Sequence, residues 1–152
     1  MLLPRLAWVL LAGSAAFAGW AGWVFATSAG PASGVLLGTA SREIAALNTV
    51  DAQQIPAWEA RWLADTTGAE HAQVAATNPA ALTQIRRVKT SSVGTVTAIA
   101  VTSLGGSTAG VIATVKVVQT ASSGATSTIT NRYAAVLALT PAGWKISSLR
   151  DA

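Results

Sequence analysis

Residues 108–121 read TAGVIATVKVVQTA, and their pattern decides the fold of the second half of the chain. Apolar residues at the odd positions from 111 to 117 alternate with a mixed set at the even positions, a period of two that predicts a half-buried strand. Similar Thr- and Val-rich runs occupy roughly 91–104, 126–140 and 143–150, separated by short Gly-, Ser- and Pro-containing turns. Turns this short join neighbouring antiparallel strands, so the sequence predicts a four-stranded antiparallel meander.

The residues before this sheet, 35–88, follow a helical period instead. Apolar residues three and four positions apart predict one buried helix face, formed by Leu37, Ala40, Ile44 and Leu47. Pro56 suits the first turn of a second helix, on which Trp58 and Trp62 lie one turn apart.

Two further helix starts follow. Thr67 and Glu70 have the spacing of a capping box at the start of a third helix. Asn78-Pro79 is typical of a fourth helix start, and that helix ends in three cations, which a helix C-terminus favours: Arg86, Arg87 and Lys89. Helices followed by a sheet predict an α+β domain, with the helices packed on one face of a curved four-stranded antiparallel sheet.

Composition excludes several classes of protein. The chain has 152 residues, the size of one domain, and its hydrophobic content of 51% with 11% charged residues excludes a disordered chain. With no cysteine, it is neither a disulfide-stapled miniprotein nor a thiol enzyme. The net charge of +4 comes from scattered basic residues, so we expect no nucleic-acid partner.

The N-terminal segment predicts the location of the protein. Residues 6–26 contain no charged side chain and, as a helix, would span roughly 31 Å, close to the thickness of a bilayer's hydrocarbon core. Residues 1–5 contain Arg5 and would form a short cytoplasmic tail. We therefore expect a single-pass signal anchor at 6–26 in the cell membrane, a linker at 27–34 and an extracytoplasmic domain at 35–152.

Two other interpretations of this segment stay open. Ala16-Phe17-Ala18 fits a signal-peptidase site, so cleavage is the alternative to an anchor. Ser14, Ala18 and Gly22 recur every fourth residue, a stripe that would suit a helix–helix or homo-oligomer contact within the membrane.

Several segments together resemble a known family. They are Leu47–Asp51 (LNTVD), Trp62-Leu63, Thr67–His71 (TGAEH) and the closing Ala142–Leu149 (AGWKISSL). The chain resembles the actinobacterial Mce-associated membrane proteins, which lie within the nuclear-transport-factor-like (cystatin-like cone) superfamily. The resemblance implies a cone-shaped α+β domain with a cavity between helices and sheet. It also implies an accessory role beside Mce lipid-import proteins in the cell envelope, which would then be partners of this chain along with the lipid bilayer.

Groups suited to catalysis are few. Acid–base work needs a titratable group within hydrogen-bond reach of a substrate, and the candidates are Asp51, Asp65, Glu70, His71 and Tyr133. Three of them have an ordinary structural use: Asp51 starts a turn or caps the second helix, His71 faces solvent, and Tyr133 occupies a strand. One histidine and no cysteine provide no recognisable set of metal ligands. We therefore expect no catalytic residue, no metal and no cofactor.

The aromatic residues carry the remaining functional hypothesis. Trp58, Trp62, Trp144 and Tyr133 are predicted either to belong to the core or to form the wall of an apolar pocket. The sequence thus favours a non-catalytic, membrane-anchored accessory protein that supports Mce-type lipid or sterol transport by binding or assembly. The alternatives are a small-molecule-binding or lyase/isomerase-like cone domain, and a structural subunit of another envelope machine such as a conjugation or secretion apparatus.

Overall fold

A computed structural model describes residues 31–76, 83 and 86–152. Three helices precede four strands in the described part of the chain. The helices are α1 (Pro31–Leu47), α2 (Ile55–Asp65) and α3 (Gly68–Ala75). The strands are β1 (Ser91–Leu104), β2 (Thr108–Thr120), β3 (Thr126–Thr140) and β4 (Gly143–Asp151). The predicted order of helices before sheet is confirmed.

The sheet is the predicted meander, with strand order β1-β2-β3-β4 and every neighbour antiparallel. On β2, Val111, Val115 and Val117 are at most 4% exposed, whereas Ile112 and Lys116 on the other face are exposed. The alternation in the sequence therefore separates an inner face, which the helices cover, from an outer face. Register shifts in β1 and β4 interrupt the pairing, and such bulges bend strands.

Helix α1 provides the apolar layer that covers the inner face. Its fully buried residues Leu36, Ala40 and Ile44 join the strand residues in one core cluster. The sequence predicted Leu37 as the first residue of this buried face. In the structure the face begins at Leu36, and Leu37 is only partly buried at the edge of the core cluster. The helix also begins earlier than expected: residues 31–34, assigned to a linker, form its first turn, where proline is favoured because its missing N–H would have no partner there.

The C-terminal end of α1 is tied to the start of β1. Thr49 Oγ1 donates to Ala45 O at 2.8 Å and accepts from the backbone N–H of Gly94 at 3.1 Å. Ser92 Oγ donates to Asn48 O at 2.9 Å. A Cβ on Gly94 would lie 2.5 Å from the Asn48 Cβ, so only glycine permits this close approach of helix and strand. The LNTVD segment thus has a structural use as the junction of α1 with the sheet.

The edge of β4 is covered by the segment from α2 to α3. Thr66 forms a parallel bridge with Ile146, and the N–H of Thr67 donates to Ile146 O at 2.8 Å. The Glu70 carboxylate accepts from the N–H of Leu149 at 3.0 Å. The predicted capping box is therefore wrong: Thr67 is the N-cap residue but makes no side-chain cap bond, because Glu70 is turned to the strand edge.

Several predictions concern residues that lie partly or wholly outside the described ranges. The predicted anchor, residues 6–26, lies outside the described residues, as does the fourth helix start at Asn78-Pro79. The end of that predicted helix is described: residues 86–88 are helical and Lys89, which follows, has a left-handed φ of 49°. Within the described ranges, no helix combines the length and the hydropathy that crossing a bilayer requires.

Candidate functional site

The predicted aromatic wall starts with two stacked indoles on α2. The rings of Trp58 and Trp62 lie 4.9 Å apart at an interplanar angle of 26°. Trp58 is 8% exposed, and its Nε1 donates to Leu47 O at 3.3 Å. Trp58 therefore joins α2 to the end of α1 as part of a small core with Ile55 and Val50.

The other two aromatic candidates lie in different places. Trp144 is the second residue of β4, opposite Leu139, and Tyr133 occupies the middle of β3; both pack against the main core. The Tyr133 hydroxyl donates to Asn48 Oδ1 at 2.8 Å and accepts from Asn131 Nδ2 at 3.1 Å. Burial raises the pKa of this phenol, so it stays neutral at physiological pH and acts as a link between β3 and α1.

Three of the acid–base candidates, Asp51, His71 and Glu70, make contacts that serve the fold. Asp51 is exposed, and its Oδ1 accepts from the N–H of Gln53 at 2.9 Å, the bond that starts a turn. His71 is exposed, with Nδ1 3.0 Å from Leu63 O. Glu70 is committed to the edge of β4, as described above.

The remaining carboxyl among the candidates, Asp65, lines a cleft between α1 and α2. This cleft, the α1–α2 cleft, has a volume of about 430 Å³ and is lined by residues from both helices. They are Arg42, Glu43, Ala46, Arg61 and Asp65. The lining thus combines two carboxyl groups with two guanidinium groups, a set that neither helix supplies alone.

Glu43 is the unusual group of the α1–α2 cleft. It is 8% exposed, and its Oε2 atom is buried with no hydrogen-bond partner. Burial and the nearby Asp65 carboxylate raise its pKa from 4.5 to about 7, against the opposing effect of Arg42 and Lys145. The same burial raises the pKa of Asp65, although Arg61, Lys145 and Arg42 counteract it. A carboxyl whose pKa lies near neutrality can either donate or accept a proton at physiological pH.

The surroundings of Glu43 limit what the cleft can hold. Lys145, one of the charges that act on Glu43, donates from Nζ to Ala64 O at 2.6 Å near the end of α2. Trp62 Nε1, on α2 but outside the cleft lining, is also buried without a hydrogen-bond partner. Among the described residues, no cluster of three or more His, Cys, Asp or Glu side chains is arranged to hold a metal ion. The cleft suits a small polar group or a proton transfer, and the described carboxyls do not form a metal centre.

Comparisons with known proteins identify the fold. No family model matches the sequence, and a search of curated proteins found no match. Among solved structures, an IcmL-like type IV secretion system protein from Legionella pneumophila superposes with a TM-score of 0.68 and 16% identity, over 81% of this chain and 94% of that chain. A periplasmic fragment of TraM gives 0.60 and 14%, over 77% and 96%.

A third match carries the name of the superfamily. A nuclear transport factor 2 (NTF2-like) superfamily protein from Salmonella enterica superposes with a TM-score of 0.54 and 16% identity, over 79% of this chain and 92% of that chain. The chain therefore has the NTF2-like cone fold. This confirms the superfamily-level fold that the resemblance implied.

Proposed function

We propose that this chain is a non-catalytic, membrane-anchored domain of a cell-envelope machine, which acts by assembly with other proteins. The observation that carries the proposal is the packing of the helices on the inner face of the sheet. Leu36, Ile44, Val115, Leu137 and Ile146 are completely buried between helices and sheet. These side chains commit the inner face to the core, whereas the outer sheet face is exposed, which favours a role for the outer surface of the domain.

The structural neighbours support this proposal at the level of the fold. One is named as a type IV secretion system protein and another as a periplasmic fragment, and both superpose over most of this chain. An extracytoplasmic cone domain behind a predicted N-terminal anchor is consistent with such a setting. Mce-type lipid transport would be one such machine. Its support is the resemblance at residues 47–51 and 142–149, since neither of these two neighbours is named as an Mce protein.

The experiment is photo-crosslinking of the full-length chain in its native membrane. A benzophenone amino acid is placed at Thr130, exposed on the outer sheet face, and in a second strain at Gln53, exposed between α1 and α2. We expect adducts from the Thr130 strain that contain a secretion or transport component, with fewer from the Gln53 strain. Recovery of the intact chain in the cytosol, or membrane adducts that never contain such a component, would contradict the proposal.

The α1–α2 cleft favours a second candidate, a lyase- or isomerase-like activity with Glu43 as the proton-transferring group. Its support is the buried, unpartnered carboxyl with a pKa of about 7 beside Asp65. Such an enzyme exchanges carbon-bound protons of its substrate with solvent, which NMR detects in deuterated buffer for a panel of small ketones and hydroxylated aromatic compounds. Exchange that is present in the wild-type chain and absent in Glu43→Gln supports this candidate. No Glu43-dependent exchange across the panel removes it.

A further inference from the structure

The α1–α2 cleft has room for a small molecule because its lining includes a short side chain. On α1, Ala46 follows Arg42 by four residues, and both line the cleft. On α2, Arg61 and Asp65 are also four residues apart and also line it. Residues at this spacing share one side of a helix, so each helix presents one turn to the cleft. The volume of about 430 Å³ lies within the range of sites that hold small molecules.

The charged side chains of this lining are not committed to one another. Across the described residues, none of the four forms an ion pair. The one hydrogen bond that they make there runs from Arg42 Nη2 to Thr39 Oγ1 at 3.4 Å, which is long for such a bond. Arg61 lowers the pKa of Asp65 by its charge, without a direct contact. The guanidinium donors and the Asp65 oxygens are therefore open to water or to a ligand.

Glu43 adds a buried group to the cleft. The side chain is 8% exposed, and its Oε2 has no hydrogen-bond partner, a rare state for a buried oxygen. The charged groups that act on it come from three elements: Arg42 on α1, Asp65 on α2 and Lys145 on β4. Lys145 is already bonded to the carbonyl oxygen of Ala64. A cationic group that enters the cleft would therefore bring this carboxyl a donor that the described side chains do not supply.

The combination of charges selects for a ligand that carries both signs. Guanidinium groups bind carboxylates and phosphates through paired N–H donors, and carboxyl groups bind ammonium groups. A ligand with a negative charge alone would leave Glu43 and Asp65 without a partner, and one with a positive charge alone would be repelled by Arg42 and Arg61. The described residues also hold no cluster of carboxyls arranged for a metal ion. A neutral molecule with separated charges satisfies both halves of the lining.

We propose that the α1–α2 cleft binds a small zwitterion, with its carboxylate or phosphate on Arg42 and Arg61 and its ammonium on Glu43 and Asp65. Free amino acids and the ethanolamine headgroup of a lipid share this chemistry. The bound molecule contacts both helices and thus stabilises the packing of α2 on α1. The inference goes beyond the proposed assembly role, and it requires no reaction in the cleft.

Equilibrium dialysis of the full-length chain in detergent tests the proposal with radiolabelled probes. The zwitterions are glycine, 4-aminobutyrate and glycerophosphoethanolamine, and the controls with a single charge are acetate and methylamine. We expect at least one zwitterion to bind at least about tenfold more tightly than either control, because each control lacks the charge-assisted contacts of one end. Preference for glycerophosphoethanolamine assigns the ligand to lipid headgroups, and preference for an amino acid assigns it to free metabolites. Equal binding of zwitterions and controls, or no binding at about 10 mM, would overturn the proposal.

Substitutions in the lining locate the binding. Ala46→Met places a long side chain in the cleft and should weaken binding at least about tenfold, whereas Ala60→Met, exposed on α2 outside the lining, should bind like the wild type. Arg61→Gln should weaken binding by a similar factor, and Arg132→Gln on the sheet is its control. Arg61 is exposed, so urea unfolding of Arg61→Gln should match the wild type even where Ala46→Met disturbs the helices. Unchanged affinity in Arg61→Gln would overturn the proposal.

Proton release tests where the ammonium lies. Glu43 has a pKa of about 7, and an ammonium beside it favours the carboxylate, so binding at pH 6 should release up to about one proton. Calorimetric titration in two buffers with different heats of ionisation counts these protons. Glu43→Gln should release fewer, and Glu59→Gln, on α2 outside the lining, should release as many as the wild type. Binding by the wild type without proton release would contradict the assignment. Failure of these tests leaves the crosslinking expected at Thr130 unaffected, so the inference and the proposed function fail separately.

Discussion

Replacing Glu43 with glutamine is expected to remove a large part of the pH dependence of stability between pH 5 and pH 8. The side chain is 8% exposed in the α1–α2 cleft and has one oxygen without a partner. Glutamine keeps the size and shape of the neutral acid but does not ionise. The substitution therefore removes the titration and leaves the packing between α1 and α2 in place.

The sign follows from the direction of the pKa change. Glu43 has a pKa of about 7 when folded, raised from 4.5 by burial and then by Asp65. The folded chain thus retains a proton that the unfolded chain has released, and the free energy of unfolding decreases as the pH rises through this window. One pKa unit is worth about 1.4 kcal/mol, so the full change is on the order of 3 kcal/mol, most of which falls between pH 5 and 8.

Urea unfolding at a series of pH values, followed by tryptophan fluorescence of the full-length chain in detergent, measures this effect. We expect the wild-type chain to lose roughly 2–3 kcal/mol of unfolding free energy from pH 5 to 8 through this group, and Glu43→Gln to lose much less. Asp65, whose pKa is also raised, leaves a smaller residual slope of the same sign. Glu59→Gln, on α2 but outside the cleft lining, is the control and should keep the wild-type slope. Equal slopes for wild type and Glu43→Gln would refute the assignment of a buried Glu43 with a raised pKa.

Further substitutions test the contacts that hold the helices on the sheet. Gly94→Ala should destabilise the fold by about 1–3 kcal/mol, because its Cβ would lie 2.5 Å from the Asn48 Cβ. In the control variant Gly38→Ala, the added Cβ in α1 meets no atom within 4 Å and should stabilise the fold by roughly 0.5–1 kcal/mol. The prediction requires a lower urea midpoint for Gly94→Ala than for Gly38→Ala. Tyr133→Phe should cost about 1–2 kcal/mol, since it leaves Asn48 Oδ1 without its donor, and an unchanged midpoint would show that water replaces the hydroxyl. Glu70→Ala should cost about 1–3 kcal/mol because an N–H of β4 loses its acceptor, whereas Glu70→Gln keeps an acceptor oxygen and should cost less.

The sheet was predictable from local sequence because the alternation of apolar residues along each strand shows which of its two faces is buried. The predicted run at 108–121 corresponds to β2, which ends at Thr120, and the run at 143–150 to β4, which ends at Asp151. Val111, Val115 and Val117 are buried as the period of two requires. Turn residues mark the intervals, and short turns leave a meander as the simplest connection. Helix α2 was predictable for a similar reason, since proline and two tryptophans one turn apart mark its start and its packed side.

The α1–α2 cleft was not predictable in this way, because it depends on contacts between separate helices. Asp65 was among the candidates, but Glu43 was not: in the sequence it is a charged residue beside Ile44, as expected at the border of an amphipathic helix. Only the packing of α2 against α1 buries it next to Asp65. For Glu70, the sequence predicted a local contact, whereas the structure shows a contact with a residue distant in the chain. Its spacing from Thr67 favours a capping box, yet a distant strand edge provides a competing donor.

The segment from α2 to α3 that covers the edge of β4 affects whether copies of this chain can join edge to edge. In the middle of that edge, Thr67 and Glu70 bind Ile146 O and the N–H of Leu149, and Thr66 lies beside Ile146, so a foreign strand cannot pair along the full length of β4. At the opposite edge of the sheet, β1 contains two register shifts, after Val96 and after Val101, which interrupt the regular strand pairing. Neither border offers a long, flat template for strand addition. The two edges of the sheet therefore disfavour edge-to-edge addition of further copies of the chain, the first step in stacking strands into fibrils.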